Sequence, residues 1–236
     1  ITITGGNILS RITIHIGHFG SGKTEISLDK AMRLASAGEK VSLVDLDNVN
    51  PYFRSGEKRP ELEALGIEVH TPTFEGSTVD VPSLPATIQR VFAQKDRRVI
   101  FDAGGDPTGA GVLGRYHRWL EEDDTQVLCV VNTLRPWTAT VDDILWMMQE
   151  MSEHCRLPVT GMIHNTNLAR ETRAEHVVQG QRLVDEVSEK SGIPVVAIYG
   201  LESVLEALPG PFKAQYSALL TPLSLRMRPA WLDGTE

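Results

Sequence analysis

The strongest chemical signal in the sequence is a glycine-rich segment, GHFGSGKT, at residues 17–24. It follows an apolar run that predicts a β-strand and precedes a pattern that predicts a helix, which is the context that the GxxxxGK[ST] motif requires. Glycines 17, 20 and 22 allow backbone conformations in which successive N–H groups point inward around a phosphate, and the helix N-terminus adds positive charge. The segment therefore predicts a site for the phosphates of a nucleoside triphosphate.

Two side chains at the end of this segment have the chemistry that a triphosphate and its metal need. Lys23 can place its ammonium group at the β- and γ-phosphates, where it also serves catalysis, and the Thr24 hydroxyl can complete the ligand shell of Mg²⁺. The alternative is a glycine-rich turn that carries a surface lysine. The nucleotide-binding residues predicted in this segment are Gly17, His18, Gly20, Ser21, Gly22, Lys23, Thr24 and Glu25.

Carboxylates follow two other predicted strands. VIFDAGG places Asp102 at the tip of one strand, with Gly105 able to direct its N–H toward the γ-phosphate, and VSLVDLDNVNPYF ends another strand with Asp45 and Asp47. Residues two apart lie on the same side of an extended chain, so one carboxylate can orient a metal-bound water and the other the water that attacks the γ-phosphate. The alternatives are an ordinary turn carboxylate at Asp102 and capping of the next turn by Asp47 or Asn48.

Short apolar runs rich in Val, Ile and Leu alternate with helical patterns, which is typical of βαβ units stacked into a parallel sheet covered by helices on both faces. We predict an α/β protein with a three-layer αβα arrangement, a mostly parallel seven-stranded sheet and the P-loop NTPase fold, in a single domain over residues 1–236. The predicted strands are 11–16, 40–45, 66–70, 98–101, 126–132, 158–164 and 194–199. The predicted helices are 23–37, 83–94, 112–122, 138–155, 170–191 and 201–208, and 71–85 is a predicted loop.

Composition limits the classes of function. The 236 residues include 41% apolar and 23% charged residues, as expected for a folded water-soluble protein, and carry a formal charge of −8. Because that charge repels polyphosphate backbones and no basic patch is visible, we expect no nucleic-acid partner. No apolar run is long enough to cross a bilayer, so we expect no membrane contact. Cys129 and Cys155 are too few for a disulfide framework, which favours a reducing, cytoplasmic location.

At these motifs the chain resembles the MinD/ParA group of P-loop ATPases, within the SIMIBI class and close to the CobQ/CobB ligases. The resemblance spans nearly the whole sequence and is most specific at GHFGSGKT, VDLDNVNP and FDAGGDP, with GMIHNTN similar to the strand that ends in an adenine-reading Asn. It implies ATP and Mg²⁺ as ligands. It also implies that Asp47 polarises the attacking water, that Asp45 and Asp102 support Mg²⁺ together with Thr24, and that Asn165 binds the base.

The sequence departs from that group at one position. Its members have a second lysine early in the phosphate loop that reaches across a dimer interface, and His18 stands there in this chain, which leaves a homodimer possible but not required. For the base, NTNL places Leu168 where the NKxD motif of GTPases has its Asp, which favours ATP over GTP. Asn165 or Asn167 can serve the adenine edge, or both are turn residues.

The segment NVNPYFRSGEKRPE, at residues 48–61, is predicted to be a loop near the γ-phosphate. Such a loop can order around the γ-phosphate and relax after hydrolysis. Tyr52 and Phe53 can then anchor a partner protein and Arg54 can stabilise charge, whereas the alternative is plain packing of the two aromatic rings on the edge of the sheet.

Three functions fit these patterns. The first is an ATP-dependent switch that hydrolyses ATP slowly and changes its affinity for a partner protein. The second is a CobQ/CobB-like ligase or a small-molecule kinase, for which Arg115, His117 and Arg118 are candidate acceptor-site residues. The third is an ATP-gated assembly module without useful hydrolysis.

Overall fold

The computed structural model describes residues 10–47, 58–71 and 86–227, apart from the side chain of Thr87. In that part of the chain one eight-stranded sheet forms, with the order β3-β2-β4-β1-β5-β6-β7-β8 and every neighbouring pair parallel. The α/β prediction is confirmed, but the sheet has one strand more than the seven predicted. The strands are β1 (Ile12–Ile16), β2 (Val41–Asp45), β3 (Glu68–His70), β4 (Arg98–Asp102), β5 (Thr125–Val131), β6 (Gly161–His164), β7 (Val195–Gly200) and β8 (Leu220–Pro222).

Helices connect the strands and cover both faces of the sheet. The α-helices of the described residues are α1 (Lys23–Ser36), α2 (Arg59–Ala64), α3 (Ala86–Ala93), α4 (Pro107–Gly111), α5 (His117–Glu121), α6 (Val141–Cys155), α7 (Ala174–Ser191), α8 (Glu202–Glu206) and α9 (Gly210–Tyr216). Short 3₁₀ turns occur at Leu113–Arg115 and Pro136–Thr138.

Alternation along the strands divides the core into two layers. On β1, the isoleucines at 12, 14 and 16 pack in the large cluster that contains α6. Thr13 and His15 alternate with them and point to the opposite face, where His15 contacts Ser27 of α1. The α1 side is completed by clusters around Leu28 and Ile26. Helices on both faces of the sheet give the predicted three layers.

Several predicted boundaries need correction. The predicted helix 112–122 is interrupted, because α4 ends at Gly111 and a 3₁₀ turn precedes α5. The helix predicted from 170 begins at Ala174, since side-chain hydrogen bonds of Asn167 and Thr172 fix the preceding residues as a loop. Residues 59–61, predicted as loop, belong to α2. Both α9 and β8 lie beyond the last predicted element.

Three predicted features fall wholly or partly outside the described residues. The candidate switch segment lies outside them at 48–57, together with Tyr52, Phe53 and Arg54. The same holds for most of the predicted loop 71–85 and for the start of the predicted helix 83–94. Within the described ranges, no helix combines the length and the apolar character that a bilayer crossing needs.

Candidate functional site

The glycine-rich loop between β1 and α1 has the backbone that its glycines predict. Gly17, Gly20 and Gly22 all have positive φ, at 142°, 71° and 93°. A Cβ at Gly17 would lie 2.4 Å from the carbonyl oxygen of Val130, and one at Gly22 would lie 2.2 Å from Nδ2 of Asn165. Glycine is therefore required here both by conformation and by space.

The N-terminus of α1 closes this loop. Ile26 N donates to Gly22 O at 3.1 Å, so the N–H groups of the three preceding residues, Lys23, Thr24 and Glu25, have no acceptor within the helix. The ammonium of Lys23 donates to the carbonyl of His18 at 3.3 Å and thus lies back over the loop. Helix N-terminal amides and an ammonium group at one place form a binding site for an anion.

Lys23 is buried among acidic groups. Burial is the largest influence on the Lys23 ammonium and lowers its pKa, while the carboxylates of Asp102 and Asp47 act in the opposite direction. The structure therefore brings the predicted lysine together with two of the predicted carboxylates. Asp102 ends β4 and Asp47 follows β2, and these two strands are adjacent in the sheet.

Asp45 and Asp102 are cross-strand partners at the carboxyl ends of β2 and β4. Each residue is 1% exposed. Asp102 alternates with Phe101 and shares a face with Ile100, so its side chain lies on the α1 side of the sheet. Burial and, after it, the charge of Asp45 raise the pKa of Asp102 to about 7. Neither oxygen of Asp102 has a partner in strict hydrogen-bond geometry among the described residues, although the Lys23 ammonium and the Thr24 hydroxyl lie close enough to act against the rise in its pKa.

This arrangement fits the predicted magnesium ion. A buried carboxylate without a well-placed donor, next to a second carboxylate, is costly, and a divalent cation offsets that cost. No group of three or more His, Cys, Asp or Glu side chains in the described ranges is placed to hold a metal ion. Mg²⁺ usually keeps several waters and takes one or two carboxylates together with substrate phosphates. Asp45 and Asp102, with Thr24, match that kind of ligand set in number and chemistry.

Asp47 follows β2 and is 9% exposed. Its backbone N–H donates to Oδ1 of Asp45 at 3.0 Å, which fixes the turn that leaves the strand. This contact uses the main chain of residue 47 and not its carboxylate.

Aromatic side chains cover the outer side of the loop. The His18 ring stacks on Trp137, with centroids 5.9 Å apart and planes 28° apart, and it meets Phe19 edge to face. Phe19 lies over Gly105, where a Cβ would be 2.4 Å from Cδ1 of the ring. Burial lowers the pKa of His18, and Lys23 acts in the same direction. His18 is thus a stacked loop residue whose neutral form is favoured by burial.

The loop after β6 is attached to the phosphate loop through asparagines. Asn165 is 1% exposed, donates from Nδ2 to Ser21 O at 2.7 Å, and has no described partner at Oδ1. Asn167 donates to Asn165 O at 2.8 Å. The side chain predicted to read the base therefore also supports the phosphate loop. A surface pocket beside this loop is lined by Leu168, Arg170, Glu171, Thr172, Arg173 and His176.

Sequence reasoning missed Asn132, which follows β5 and is completely buried. Its Nδ2 donates to Gly20 O at 3.3 Å and to Asn167 O at 3.0 Å. Its Oδ1 accepts from Leu134 N at 3.1 Å and from Asn167 N at 3.2 Å. Asn132 thus joins the phosphate loop to the loop after β6. The signal that could have found it is a polar residue that ends an apolar strand, directly before a turn.

The Glu25 side chain is engaged elsewhere. Its two oxygens accept hydrogen bonds from the backbone N–H groups of Arg226 and Met227, each at 2.8 Å. Burial raises the pKa of this carboxyl group. A nucleotide contact at Glu25 would therefore come from its backbone N–H, and its carboxylate attaches the C-terminal segment to α1.

The candidate acceptor residues of the ligase or kinase alternative show no convergence on this site. His117 Nδ1 contacts the carbonyl of Gly114 at 2.9 Å, and Arg115 and Arg118 are exposed.

Comparison with known proteins gives the fold. No protein-family model and no curated protein matches the chain. Among solved structures, the cell division protein FtsY of Thermotoga maritima aligns with 89% of the chain at 19% identity and a TM-score of 0.57. The signal recognition particle 54 kDa protein of Aeropyrum pernix, in complex with GDP, aligns with 88% at 20% identity and a TM-score of 0.54. FlhF complexed with GTP/Mg²⁺ aligns with 81% at 16% identity and a TM-score of 0.52.

The chain has the P-loop NTPase fold. This confirms the fold class predicted from GHFGSGKT and the alternating elements. The alignments span 68% of the Thermotoga FtsY chain, 46% of the 54 kDa protein and 66% of FlhF, so the solved structures are longer than this chain. At identities of this size the likeness is one of fold.

Proposed function

We propose that the chain binds a purine nucleoside triphosphate with Mg²⁺ at residues 17–24, hydrolyses it slowly, and acts as a nucleotide-dependent switch for a partner protein. One observation carries the proposal. The amides at the start of α1, the Lys23 ammonium and the buried carboxylates of Asp45 and Asp102 converge at one edge of a parallel sheet. That is the set of groups that a metal-bound triphosphate requires.

Each group has a role in this proposal. The backbone N–H groups of the loop bind the β-phosphate, and Lys23 exchanges its contact with His18 O for phosphate oxygens. Thr24, Asp45 and Asp102 hold Mg²⁺, which neutralises charge on the β- and γ-phosphates when bound. Asp47 orients the attacking water. Because phosphoryl transfer needs mainly positioning and electrostatic stabilisation, slow turnover is expected without a partner.

For the base we propose adenine. A guanine reader needs a carboxylate for the guanine edge, and Leu168 stands where NKxD would place it. The Oδ1 atom of Asn165 is buried beside the phosphate loop and can accept the adenine amino group. GTP is the alternative that two of the solved structures favour, since one is in complex with GDP and the other with GTP/Mg²⁺. Glu171, on the same loop, would then supply the carboxylate.

We infer that the chain is a SIMIBI-class protein related to the MinD/ParA group. The DLD motif that ends β2, with Asp45 and Asp47, supports this placement, and the FtsY-type structures share the fold. His18 in place of the second lysine argues against a dimer that depends on that lysine. We therefore propose a different protein as the main partner, with a homodimer as the secondary possibility.

Product analysis tests this function against its rivals. Phosphate released from ATP by the protein alone, and lost in Lys23→Ala, supports the switch. Phosphate release that requires an added carboxylate or alcohol metabolite would instead identify a ligase or kinase. Tight nucleotide binding without any turnover would identify an assembly module. Parallel reactions with ATP and GTP decide the base.

A further inference from the structure

The carbonyl group of Gly20 receives two side-chain donors from outside the phosphate loop. Arg135 Nε donates to it at 3.1 Å and Asn132 Nδ2 at 3.3 Å. The guanidinium lies directly over the glycine, since a Cβ at Gly20 would be 2.9 Å from Arg135 Nε and 3.2 Å from its Cζ. Both donors come from the segment that follows β5, which leaves the sheet beside the loop.

Hydrogen bonds within residues 132–138 and to neighbouring loops fix the conformation of this segment. Asn132 is completely buried and uses both side-chain polar atoms. The Thr138 hydroxyl donates to Asn132 O at 2.6 Å, and Thr138 N donates to Arg135 O at 3.0 Å. Pro136 begins the 3₁₀ turn that ends at Thr138. The two donors therefore approach Gly20 from a rigid support.

The Gly20–Ser21 peptide needs such support because its plane can flip, which reverses the directions of the Gly20 carbonyl and the Ser21 N–H. The φ of Gly20, at 71°, lies in the left-handed region, where glycine has unusual freedom, so the peptide that joins Gly20 to Ser21 can reverse at low cost. In the observed orientation the carbonyl points toward Arg135 and Asn132, and the N–H of Ser21 donates to His18 O at 3.2 Å. After a reversal, the carbonyl would leave both donors, and a carbonyl oxygen turned toward bound phosphates would repel them.

We propose that Arg135 and Asn132 are positioning residues that hold the Gly20–Ser21 peptide in the observed orientation, which keeps the Gly20 carbonyl on these two donors and off the bound phosphates. The inference rests on the proposed function. It makes the segment after β5 a second support of the phosphate loop, separate from the support that Asn165 gives to Ser21 O. Neither residue needs to touch the nucleotide.

Arg135→Met tests the proposal, because it removes a half-buried donor without disturbing the interior. Arg97→Met is the charge-matched control at the opposite end of the strands, where Arg97 donates to the carbonyl of Val41 at 3.2 Å and also pairs with Glu68 at 2.7 Å, so its melting temperature is checked as well. Both variants lose one positive charge. We expect the Kd of the nucleotide that the wild type binds to rise about tenfold in Arg135→Met relative to the control. The kcat at saturation should stay within about twofold of the wild type, because the chemical groups are unchanged.

Hydrogen exchange at the Ser21 amide gives a second readout. In the nucleotide-free protein this amide should exchange faster in Arg135→Met than in Arg97→Met, because peptide reversal breaks its bond to His18 O. Asn132→Ala, checked for folding by its melting temperature, should show the same two effects. If Kd stays within about twofold of the control, or if kcat falls while Kd does not change, the proposal is overturned. Failure of the wild type to bind any nucleotide would instead remove the proposed function.

Discussion

Asp45 and Asp102 end neighbouring parallel strands as direct cross-strand partners, and both carboxylates are almost completely excluded from solvent. Two buried acids in this position disfavour each other's charge, which adds to the effect of burial in raising the pKa of Asp102 to about 7. The nearby Lys23 ammonium offsets this repulsion only in part, so the pair is a source of instability, and the proposed Mg²⁺ would supply further positive charge.

Asp102→Asn should therefore stabilise the nucleotide-free protein. The pKa of Asp102 is about 7 in the folded protein and near 3.9 in the unfolded chain, so the native state binds this proton more tightly. The stability that the protonated Asp102 provides is therefore fully present below about pH 4 and is lost as pH rises through 7. The variant should match the wild type at about pH 4 and exceed it at about pH 8, by up to about 4 kcal/mol. Urea unfolding at both pH values measures this. Equal free energies of unfolding for the wild type and Asp102→Asn at about pH 8 would contradict the claim that burial destabilises the charged Asp102.

Asp47→Ala should keep nucleotide binding and lose hydrolysis. The hydrogen bond that fixes this turn uses the backbone N–H of residue 47, so the substitution leaves Asp45 in place. We expect a Kd within about threefold of the wild type and a kcat at least about 100-fold lower, as for loss of a group that orients the nucleophile. Single-turnover phosphate release, beside a binding titration, separates the two quantities. Full hydrolysis by this variant would refute the role of Asp47.

His164 should make the protein sensitive to acid. It is completely buried, with Nε2 at 2.7 Å from the Thr166 hydroxyl, and burial lowers its pKa to about 4. Because the unfolded chain, with a pKa near 6.5, binds the proton more tightly, stability is lost as pH falls from about 6.5 to 4, by about 3 kcal/mol. His15, also buried with a lowered pKa, contributes in the same direction.

The slope of unfolding free energy against pH, between about 4.5 and 6.5, measures this effect. His164→Asn should reduce the slope by about one proton. His154→Asn is the matched control, because it makes the same substitution at a histidine that is exposed on α6. The same slope in both variants would show that His164 is not the group that titrates.

Asp123 forms ion pairs at the amino ends of β1 and β5, opposite to the candidate site. Its carboxylate pairs with the Arg11 guanidinium, through Nε at 2.7 Å and also Nη2, and with Lys95 at 2.6 Å. The hydrogen bond from Arg11 is the main reason that the pKa of Asp123 lies well below its usual range. The resulting stabilisation is present above about pH 4 and is lost at lower pH.

Asp123→Asn should lower the free energy of unfolding at neutral pH by about 2 kcal/mol, because it leaves a nearly buried guanidinium without its charge partner. Asp96→Asn is the control, since it removes an ion pair with Lys40 in which both side chains are well exposed and solvent screens the attraction. Its effect should be much smaller than that of Asp123→Asn. Denaturant unfolding of both variants checks the difference. A loss at Asp123 no larger than that at Asp96 would count against the buried pair.

The parts of the fold predicted from sequence are those determined by local pattern. Buried parallel strands such as β5 are rich in apolar residues, and the glycines of residues 17–24 permit the positive φ angles that the loop adopts. The carboxyl ends of parallel strands meet at one edge, so the pattern of strands places Asp45 and Asp102 at the same edge, and the pairing of β2 with β4 makes them neighbours. The roles predicted for them in metal binding remain predictions.

The parts that the sequence did not predict depend on tertiary contacts. The eighth strand, β8, is three residues long and pairs with β7 over Leu220, Thr221 and Pro222, too short for a periodic pattern to indicate. In the sequence Asn132 is marked only as a polar residue at the end of a strand, and its role depends on the fold, which brings Gly20 and Asn167 beside it from positions 112 and 35 residues away. Its hydrogen bonds are a property of the packed loops.

Calorimetric titration of Mg·ATP and Mg·GTP into the wild type and into Lys23→Ala tests the central claim most directly. The account predicts saturable binding of at least one purine triphosphate to the wild type. It also predicts an affinity at least about 100-fold weaker in the variant, because Lys23 places a buried positive charge at the anion site. Absence of binding heat for both nucleotides with the folded wild type, or equal affinities in the two proteins, would contradict it.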